Sequence, residues 1–458
     1  MDRESTAISM QTVEDRLSEL RERGVRLWVE GDRLCYRAPR GMLLPEDLKI
    51  LREQKSYVLR ALGLAREAQG SEVRSRETYA HSSLPLPLSS QQRWFWKSIE
   101  VSRSWNHFCP VTLRIQGVLD VEALRASLEM LMRRYDSLRV RLVLNAGIPY
   151  QHFDEPRCET LPLFDISRDS EEDPERRARL RVEEFLRTRI DLAFGPLCNK
   201  ILLRLSETDH VLAIGIHHIA TDAISMQLLC EQFWEMYREF EAGRKPTPKP
   251  PILQYRDYVS WQSRQLSSWP TIGKPYWNRR LEGAKPVRWP NSDAVHGGKL
   301  PVAGMSQFSF SPSLTRQIRS LAGREKVASM AIVIATLCSL IVRRCGQMDF
   351  VIPFIFHGRQ SHEHLSIVGF FIHPLLLRIE LKGGESLLEL VQYVSNEVMQ
   401  ATAHQDFGIC SSARPELMTG TFVQWLTWPE QPLGVPRPNE WETANGRLCV
   451  QPFQVEEQ

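Results

Sequence analysis

The residues best equipped for chemistry lie together in the stretch HVLAIGIHHIATDAISMQLLCEQFWEMY, residues 210–237. His217 and His218 are adjacent, and Asp222 follows the second of them four positions later. Imidazole is the side chain that exchanges a proton near neutral pH, so a histidine held at a fixed point can take a proton from an attacking amine or hydroxyl. A nearby carboxylate can fix the geometry around it. The same residues have plainer readings too: a histidine that closes a strand as a satisfied polar group, and an aspartate that opens a helix as its N-cap.

Which reading applies depends on the elements around them. Residues 211–216 are a short apolar run, expected as a buried strand that ends at the two histidines. Side chains alternate across a strand, so His218 should share a face with Leu212, Ile214 and Ile216, and His217 with Val211, Ala213 and Gly215. The two rings are therefore expected in different surroundings, not in one paired site. After Asp222 the spacing of Met226, Leu229, Phe233 and Tyr237 predicts an amphipathic helix.

The front of the chain has a separate rhythm. Val13, Leu17 and Leu20 predict a helix that Gly24 stops, and VRLWVEGDRLCYRA predicts a hairpin turning at Gly31. Leu48, Leu51, Val58 and Leu62 predict a second helix from Pro45. An unpaired hairpin offers an open edge that an extended peptide can join, and Arg26, Arg33, Arg37 and Arg40, with Trp28 between them, would suit an acidic one. The plainer alternative is a decoration packed on the main body. Residues 67–84 are polar and without periodicity, and read as a linker.

Composition narrows the function classes. At 458 residues the chain has room for roughly three compact units at ~150 residues each. Lys+Arg 58 against Asp+Glu 55 leaves +3, too balanced for a nucleic-acid binder. The apolar run at residues 330–342 is too short for a bilayer and reads as a core helix, and the polar opening MDREST has no leader character. Nine scattered cysteines without a CxxC pair suggest reduced thiols and a cytoplasmic location rather than a disulfide frame.

Two resemblances bear on function. Residues 17–41, LSELRERGVRLWVEGDRLCYRAPRG, with the closing LREQKSYVLRALG, resemble the β-hairpin docking domain of the tubulysin-synthetase type. The HHIATDA stretch resembles the HHxxxDG motif of condensation domains in nonribosomal peptide synthetases, acyltransferases related to chloramphenicol acetyltransferase. Further elements follow in that family's order: LPLSSQQRWFW, LMRRYDSLRVRL, DLAFGPL, YRDYVSW, YWNRRLEGA, IVGFFIHPLLLR (similar to IGxFVNTLxxR) and AHQD. The resemblance implies an α/β (α+β) fold of two chloramphenicol acetyltransferase-like lobes in a V-shaped pseudo-dimer. The expected boundaries are a docking domain at 1–66, the linker at 67–84, an N-lobe at 85–268 and a C-lobe at 269–458, shortened at its C-terminus.

The implied reaction is acyl transfer from a carrier-tethered thioester to an amine or hydroxyl, making an amide or an ester. Substrates arrive on phosphopantetheine arms through the cleft between the lobes, with no bound cofactor, metal, nucleic acid or membrane. The partners are an upstream carrier protein with its C-terminal docking tail, and a second carrier or a free small acceptor. By resemblance His218 is the functional histidine, His217 the structural one, and Asp222 a shaping residue held by an arginine, either Arg359 of FHGR or Arg139 of SLRV. That pair should be bidentate. Backbone N–H groups where the Asp222–Ala223 helix begins are expected to favour a developing oxyanion.

Departures from the motifs keep a second reading alive, a catalytically silent platform that docks and recruits partner proteins. Ala223 replaces the motif's glycine, and His373 and Pro374 replace Asn and Thr. Two tempting signals are set aside. GGESL, residues 383–387, looks like a carrier attachment site but reads as a helix start with Ser386 as N-cap. His357, His362, His364 and His373 lack the spacing of a zinc site and read as a polar loop.

Overall fold

The computed structural model describes residues 25–30, 33–38, 85–102, 108–156, 160–167, 173–247, 251–268, 273–290, 310–359, 361–405, 421–424, 433–436, 438–443 and 446–454, with Leu20, Asp47, Leu51 and Leu417. Several sequence expectations lie outside these residues: Val13, Leu17, Gly24, Gly31, Arg40, Leu48, Val58, Leu62, the 67–84 linker and Asp406.

At the front, strands β1 (Arg26–Glu30) and β2 (Arg33–Arg37) pair antiparallel, with Arg26 opposite Arg37, Trp28 opposite Cys35 and Glu30 opposite Arg33. Among the described residues they form a two-stranded sheet of their own. Leu20 and Asp47 are helical and, with Val25 and Leu51, buried. The helix–hairpin–helix expectation holds at each of these points.

Next come β3 (Leu86–Pro87), α1 (Ser90–Ser102), β4 (Phe108–Gln116) and α2 (Val121–Arg134). The hairpin β5 (Val140–Asn145) and β6 (Ile148–Phe153) joins β3 in a three-stranded sheet. Then follow β7 (Leu163–Asp165), α3 (Pro174–Arg187), β8 (Cys198–Ser206), β9 (Asp209–His217), α4 (Ala223–Glu241) and α5 (Tyr255–Ser268). The second half supplies α6 (Gly273–Arg280), α7 (Pro312–Glu325), α8 (Ser329–Cys345), β10 (Asp349–Phe356), β11 (His373–Glu380), α9 (Leu387–Ala403) and β12 (Val423–Gln424). A last hairpin is β13 (Glu440–Thr443) and β14 (Gly446–Pro452).

The histidine strand β9 runs inside a six-stranded sheet of order β13-β14-β4-β9-β8-β7. It pairs antiparallel with both neighbours, Phe108 opposite His217 on one side and Cys198 opposite Ile216 on the other. Its run is apolar throughout because both faces are covered. Leu212 and Ile216 pack with Leu128, Leu131 and Met132 of α2 and with Met226, Leu229 and Phe233 of α4. Val211 and Ala213 pack on the other side with Ala178 and Val182 of α3. Gly215 leaves room for a neighbour, since a Cβ there would stand 2.9 Å from the Phe108 ring.

The chain divides into two compact units. One holds Ser83–Ser268, His357–His373 and Leu426–Gln458; the other holds the described parts of Met1–Ser82 with Trp269–Phe356 and Pro374–Trp425. A single cut near residue 268 therefore captures only part of the division. The segment His357–His373 belongs with the histidine strand, and so does the 446–452 strand, because β14 pairs with β4. In the other unit β10 lies between β11 and β12. Residues 330–342 fall in α8, whose Ile332, Ile334, Cys338 and Ile341 are buried. Among the described residues no single helix is long and apolar enough to cross a membrane. GGESL is a helix start as expected: Gly383 and Gly384 take φ of 91° and 89°, and Ser386 forms a capping box with Glu389.

Candidate active site

Strand β9 ends at His217, and His218 opens a short 3₁₀ turn through Ala220. The two rings differ in burial and hydrogen bonding but share a neighbour, Phe95, whose centroid lies 6.2 Å from His217 and 5.7 Å from His218, and a turn separates them rather than the pleat of a continuing strand. His217 is fully buried, and its Nδ1 accepts from the Ile219 N–H at 3.2 Å. His218 is only partly buried, with Nδ1 2.7 Å from the Thr221 carbonyl oxygen. A carbonyl can only accept, so Nδ1 carries the hydrogen and the lone pair of the neutral ring sits on Nε2. Among the described residues nothing hydrogen-bonds that Nε2. This is the tautomer that a proton acceptor needs.

Asp222 caps α4 by accepting from the Ser225 N–H at 2.8 Å. Its carboxylate is 1% exposed and faces the Arg359 guanidinium, itself fully buried. Of the two candidate arginines, Arg359 is therefore the partner. The geometry is not the expected two-nitrogen fork. One nitrogen, Nη2, reaches both carboxylate oxygens at 2.8 and 3.1 Å, while Nη1 donates to the carbonyls of His364 and Ile367 at 2.5 and 2.7 Å. Nη1 is spent on the loop because His364 and Ile367 fold back over the guanidinium, whose central carbon lies 4.1 Å from the Phe371 ring centroid.

Arg139 is elsewhere. Its Nε donates to the Met132 carbonyl at 2.8 Å and its Nη1 to the Asp154 carbonyl, so it ties α2 to the end of β6 and leaves Asp222 alone. The oxyanion expectation also changes. The start of α4 already receives an anion, the Asp222 carboxylate, and that anion is neutralised by Arg359. Ala223, the first residue of α4, is half-buried.

Other residues complete the site, and sequence reasoning did not single them out. Ser225 Oγ donates to the Gly369 carbonyl at 2.9 Å and accepts from the Gly369 N–H at 3.0 Å and from Arg359 Nη2 at 2.8 Å. The Phe371 N–H donates to Asp222 Oδ2 at 3.2 Å. Tyr255 Oη donates to the Phe370 carbonyl at 2.6 Å, and Gln92 Nε2 donates to the Ile219 carbonyl at 3.1 Å. Burial pushes the Tyr255 phenol well above its usual range, so it stays a donor. Phe95 and Phe370 meet the His218 ring edge-on, with centroids 5.7 and 5.3 Å away. The signal for Ser225 was its place three residues into the helix; the others are joined to the motif only through the fold.

The loop histidines face separate partners. His357 Nδ1 accepts from the Arg359 N–H at 3.1 Å, and His373 Nδ1 donates to the Phe371 carbonyl at 3.2 Å. His364 packs against Tyr258 and Trp261, centroids 5.1 and 5.5 Å away. Burial lowers His364 and His373 to about 4, so both are neutral at pH 7. Among the described residues no group of three or more His, Cys, Asp or Glu side chains could hold a metal.

Comparison with known proteins identifies the family. A family model for the condensation domain matches residues 84–411, and one for the TubC N-terminal docking domain matches residues 13–63. Chondramide synthase cmdD of Chondromyces crocatus is 30% identical over 349 residues, covering 75% of this chain and 9% of that protein. The isonitrile lipopeptide synthase of Mycobacterium tuberculosis is 31% identical over 367 residues, 76% of this chain and 14% of that one. The chain thus spans only a small part of these relatives' lengths. Among solved structures, the X-domain from teicoplanin biosynthesis superposes with a TM-score of 0.66 at 23% identity, covering 83% of this chain and 84% of that one. The first condensation domain of the calcium-dependent antibiotic synthetase gives 0.62 at 22% identity, covering 81% and 85%. With the condensation-domain model matched over most of the chain, this protein belongs to the condensation-domain family of nonribosomal peptide synthetases, and it carries a docking domain of the TubC N-terminal type.

Proposed function

We propose that this chain is an active acyltransferase, joining a carrier-tethered acyl or peptidyl thioester to an amine or hydroxyl acceptor. The observation that carries the reading is the 2.7 Å contact from His218 Nδ1 to the Thr221 carbonyl, which leaves the Nε2 lone pair on a partly exposed ring. Nε2 then accepts a hydrogen bond from the acceptor nucleophile and takes its proton as the new bond to the acyl carbon forms, and that proton passes on to the pantetheine sulfur as the C–S bond breaks and the thiol leaves. The thioester is already activated, so holding it against the nucleophile is a large part of the work. Phosphopantetheine enters as the arm of the substrate.

Donor and acceptor carriers are loaded, mixed with the protein and read by intact mass. His218→Ala should abolish off-loading of the donor while the protein remains folded. Normal off-loading by His218→Ala, with loss in His217→Ala, would show that the wrong ring was chosen. No off-loading by the wild-type chain with any loaded pair would favour the platform reading. That alternative draws on Ala223, His373 and Pro374, and on the X-domain from teicoplanin biosynthesis, which has been solved in complex with OxyB.

The docking domain is proposed to take the C-terminal tail of an upstream synthetase at the open edge of the β1–β2 hairpin. The support is a two-stranded sheet with Arg37 exposed at its end. Calorimetric titration of the full chain with an acidic tail peptide tests it: binding weakened by Arg37→Glu supports the reading, and absence of binding ends it.

A further inference from the structure

Two aromatic side chains meet the His218 ring, and neither belongs to the HHxxxD motif. Its aspartate, Asp222, is engaged by Ser225 N–H, Phe371 N–H and Arg359. The ring is instead met by Phe370 at 5.3 Å with an interplanar angle of 85°, and by Phe95 at 5.7 Å and 67°. The two phenyl rings also touch each other, centroids 5.0 Å apart. In IVGFFIHP, Phe370 stands at the place that the similar motif IGxFVNT leaves open.

The backbone around Phe370 is fixed from several sides. Both the N–H and the carbonyl of Gly369 bond to Ser225 Oγ, at 3.0 and 2.9 Å. The Phe370 carbonyl accepts from Tyr255 Oη at 2.6 Å, and the next N–H goes to Asp222 Oδ2 at 3.2 Å. Gly369 has no room for a side chain, since a Cβ there would lie 2.0 Å from the Tyr255 ring. Phe370 itself is fully buried.

The Nδ1 hydrogen bond restrains one ring nitrogen, and aromatic contacts on the ring narrow the play of χ1 and χ2 that still affects the aim of Nε2. The geometry points to Phe370, seconded by Phe95, as the positioning residue in those contacts: Asp222, Arg359 and Ser225 hold the 369–371 segment, and that segment holds the ring of His218. The buried ion pair thereby acts on the functional histidine through an aromatic contact and not through a charge. This inference rests on the reading of His218 given above, and the test below separates the two.

The probe is the wild-type chain and its Phe370→Leu and Phe95→Leu variants, with imidazole nitrogens labelled and His218 assigned through His218→Ala. Leucine keeps most of the apolar volume and removes the flat edge. In the wild type, His218 should show one tautomer with a proton on Nδ1. In Phe370→Leu its two nitrogen shifts should move toward each other, and kcat should fall about ten-fold with KM for both carriers unchanged. Phe350→Leu, a comparable loss in the other unit, is the control for stability alone. A folded Phe370→Leu with wild-type shifts and kcat overturns the inference; if that variant does not fold, the same outcome in Phe95→Leu does so. Wild-type turnover in His218→Ala would instead remove the catalytic reading, and the nitrogen shifts would still decide whether Phe370 holds the ring.

Discussion

Removal of Arg359 is the perturbation whose size follows most directly from the structure. In the folded chain the side chains of Asp222 and Arg359 are 1% and 0% exposed, so neither charge has water to fall back on. Replacing Arg359 by Leu strands the carboxylate with two backbone N–H donors, from Ser225 and Phe371. It also strips the His364 and Ile367 carbonyls and Ser225 Oγ of a donor. Breaking a buried pair from one side costs about 3–5 kcal/mol. Asp222→Asn keeps an acceptor for the helix cap but leaves the guanidinium uncompensated, so it should cost a similar amount. The double variant should lose much less than the sum, because neither charge remains. Urea unfolding at pH 8, followed by near-UV circular dichroism, measures this through the midpoints. A cost below about 1 kcal/mol for Arg359→Leu, or strict additivity in the double variant, would refute the view that this pair is sealed and coupled. Arg139→Leu is the comparison, and it should show no coupling to Asp222→Asn.

Two more outcomes follow from buried groups in the same unit. His364 and His373 fall from 6.5 in the unfolded chain to about 4 when folded, both through burial, so the unfolded state binds more protons between those values and stability drops as pH falls through this window. The difference is worth on the order of 3 kcal/mol per ring, and His373→Asn should flatten its share of a melting profile recorded from pH 7 to pH 4.5; a profile that stays as steep in the variant would remove His373 as a contributor. Gly369→Ala should cost about 3 kcal/mol in thermal denaturation, because its Cβ would lie 2.0 Å from the Tyr255 ring; a variant that melts with the wild type would mean that the 369–371 segment is free to shift.

How much of this could be read from the residues depended on the range of the interaction. The strand, the helix after Asp222, the front hairpin and the capped helix after Gly384 are local patterns, and periodicity or turn chemistry specifies them within a few neighbours. Arg359 lies 137 positions from Asp222, and the choice between it and Arg139 was one of distance, which no sequence spacing encodes. Likewise β14 pairs with β4 through a register of Cys449 on Gln116, an association set by the whole sheet and not by either strand. The pattern could say that IVGFF is apolar and contains a glycine. It could not say that Tyr255 lies over that glycine, or that the next phenyl ring meets His218.

The electrostatics of the site favour one division of labour. A helix N-terminus attracts an anion, but that of α4 already holds Asp222, and Arg359 cancels the remaining charge. The cluster is therefore close to neutral as a whole and sealed from water, so it has little attraction left for charge developing on a substrate carbonyl. What it can do is stay still. Through Ser225 Oγ and the Asp222 carboxylate it ties the start of α4 to the 369–371 segment, and that segment ends against the imidazole whose Nε2 lone pair is free. Rate enhancement from such an arrangement comes from orientation, where displacements well under the length of a bond matter more than a change of net charge nearby. Substitutions that loosen Phe370 should for that reason outweigh, in kcat, equally destabilising substitutions that leave the ring of His218 in place.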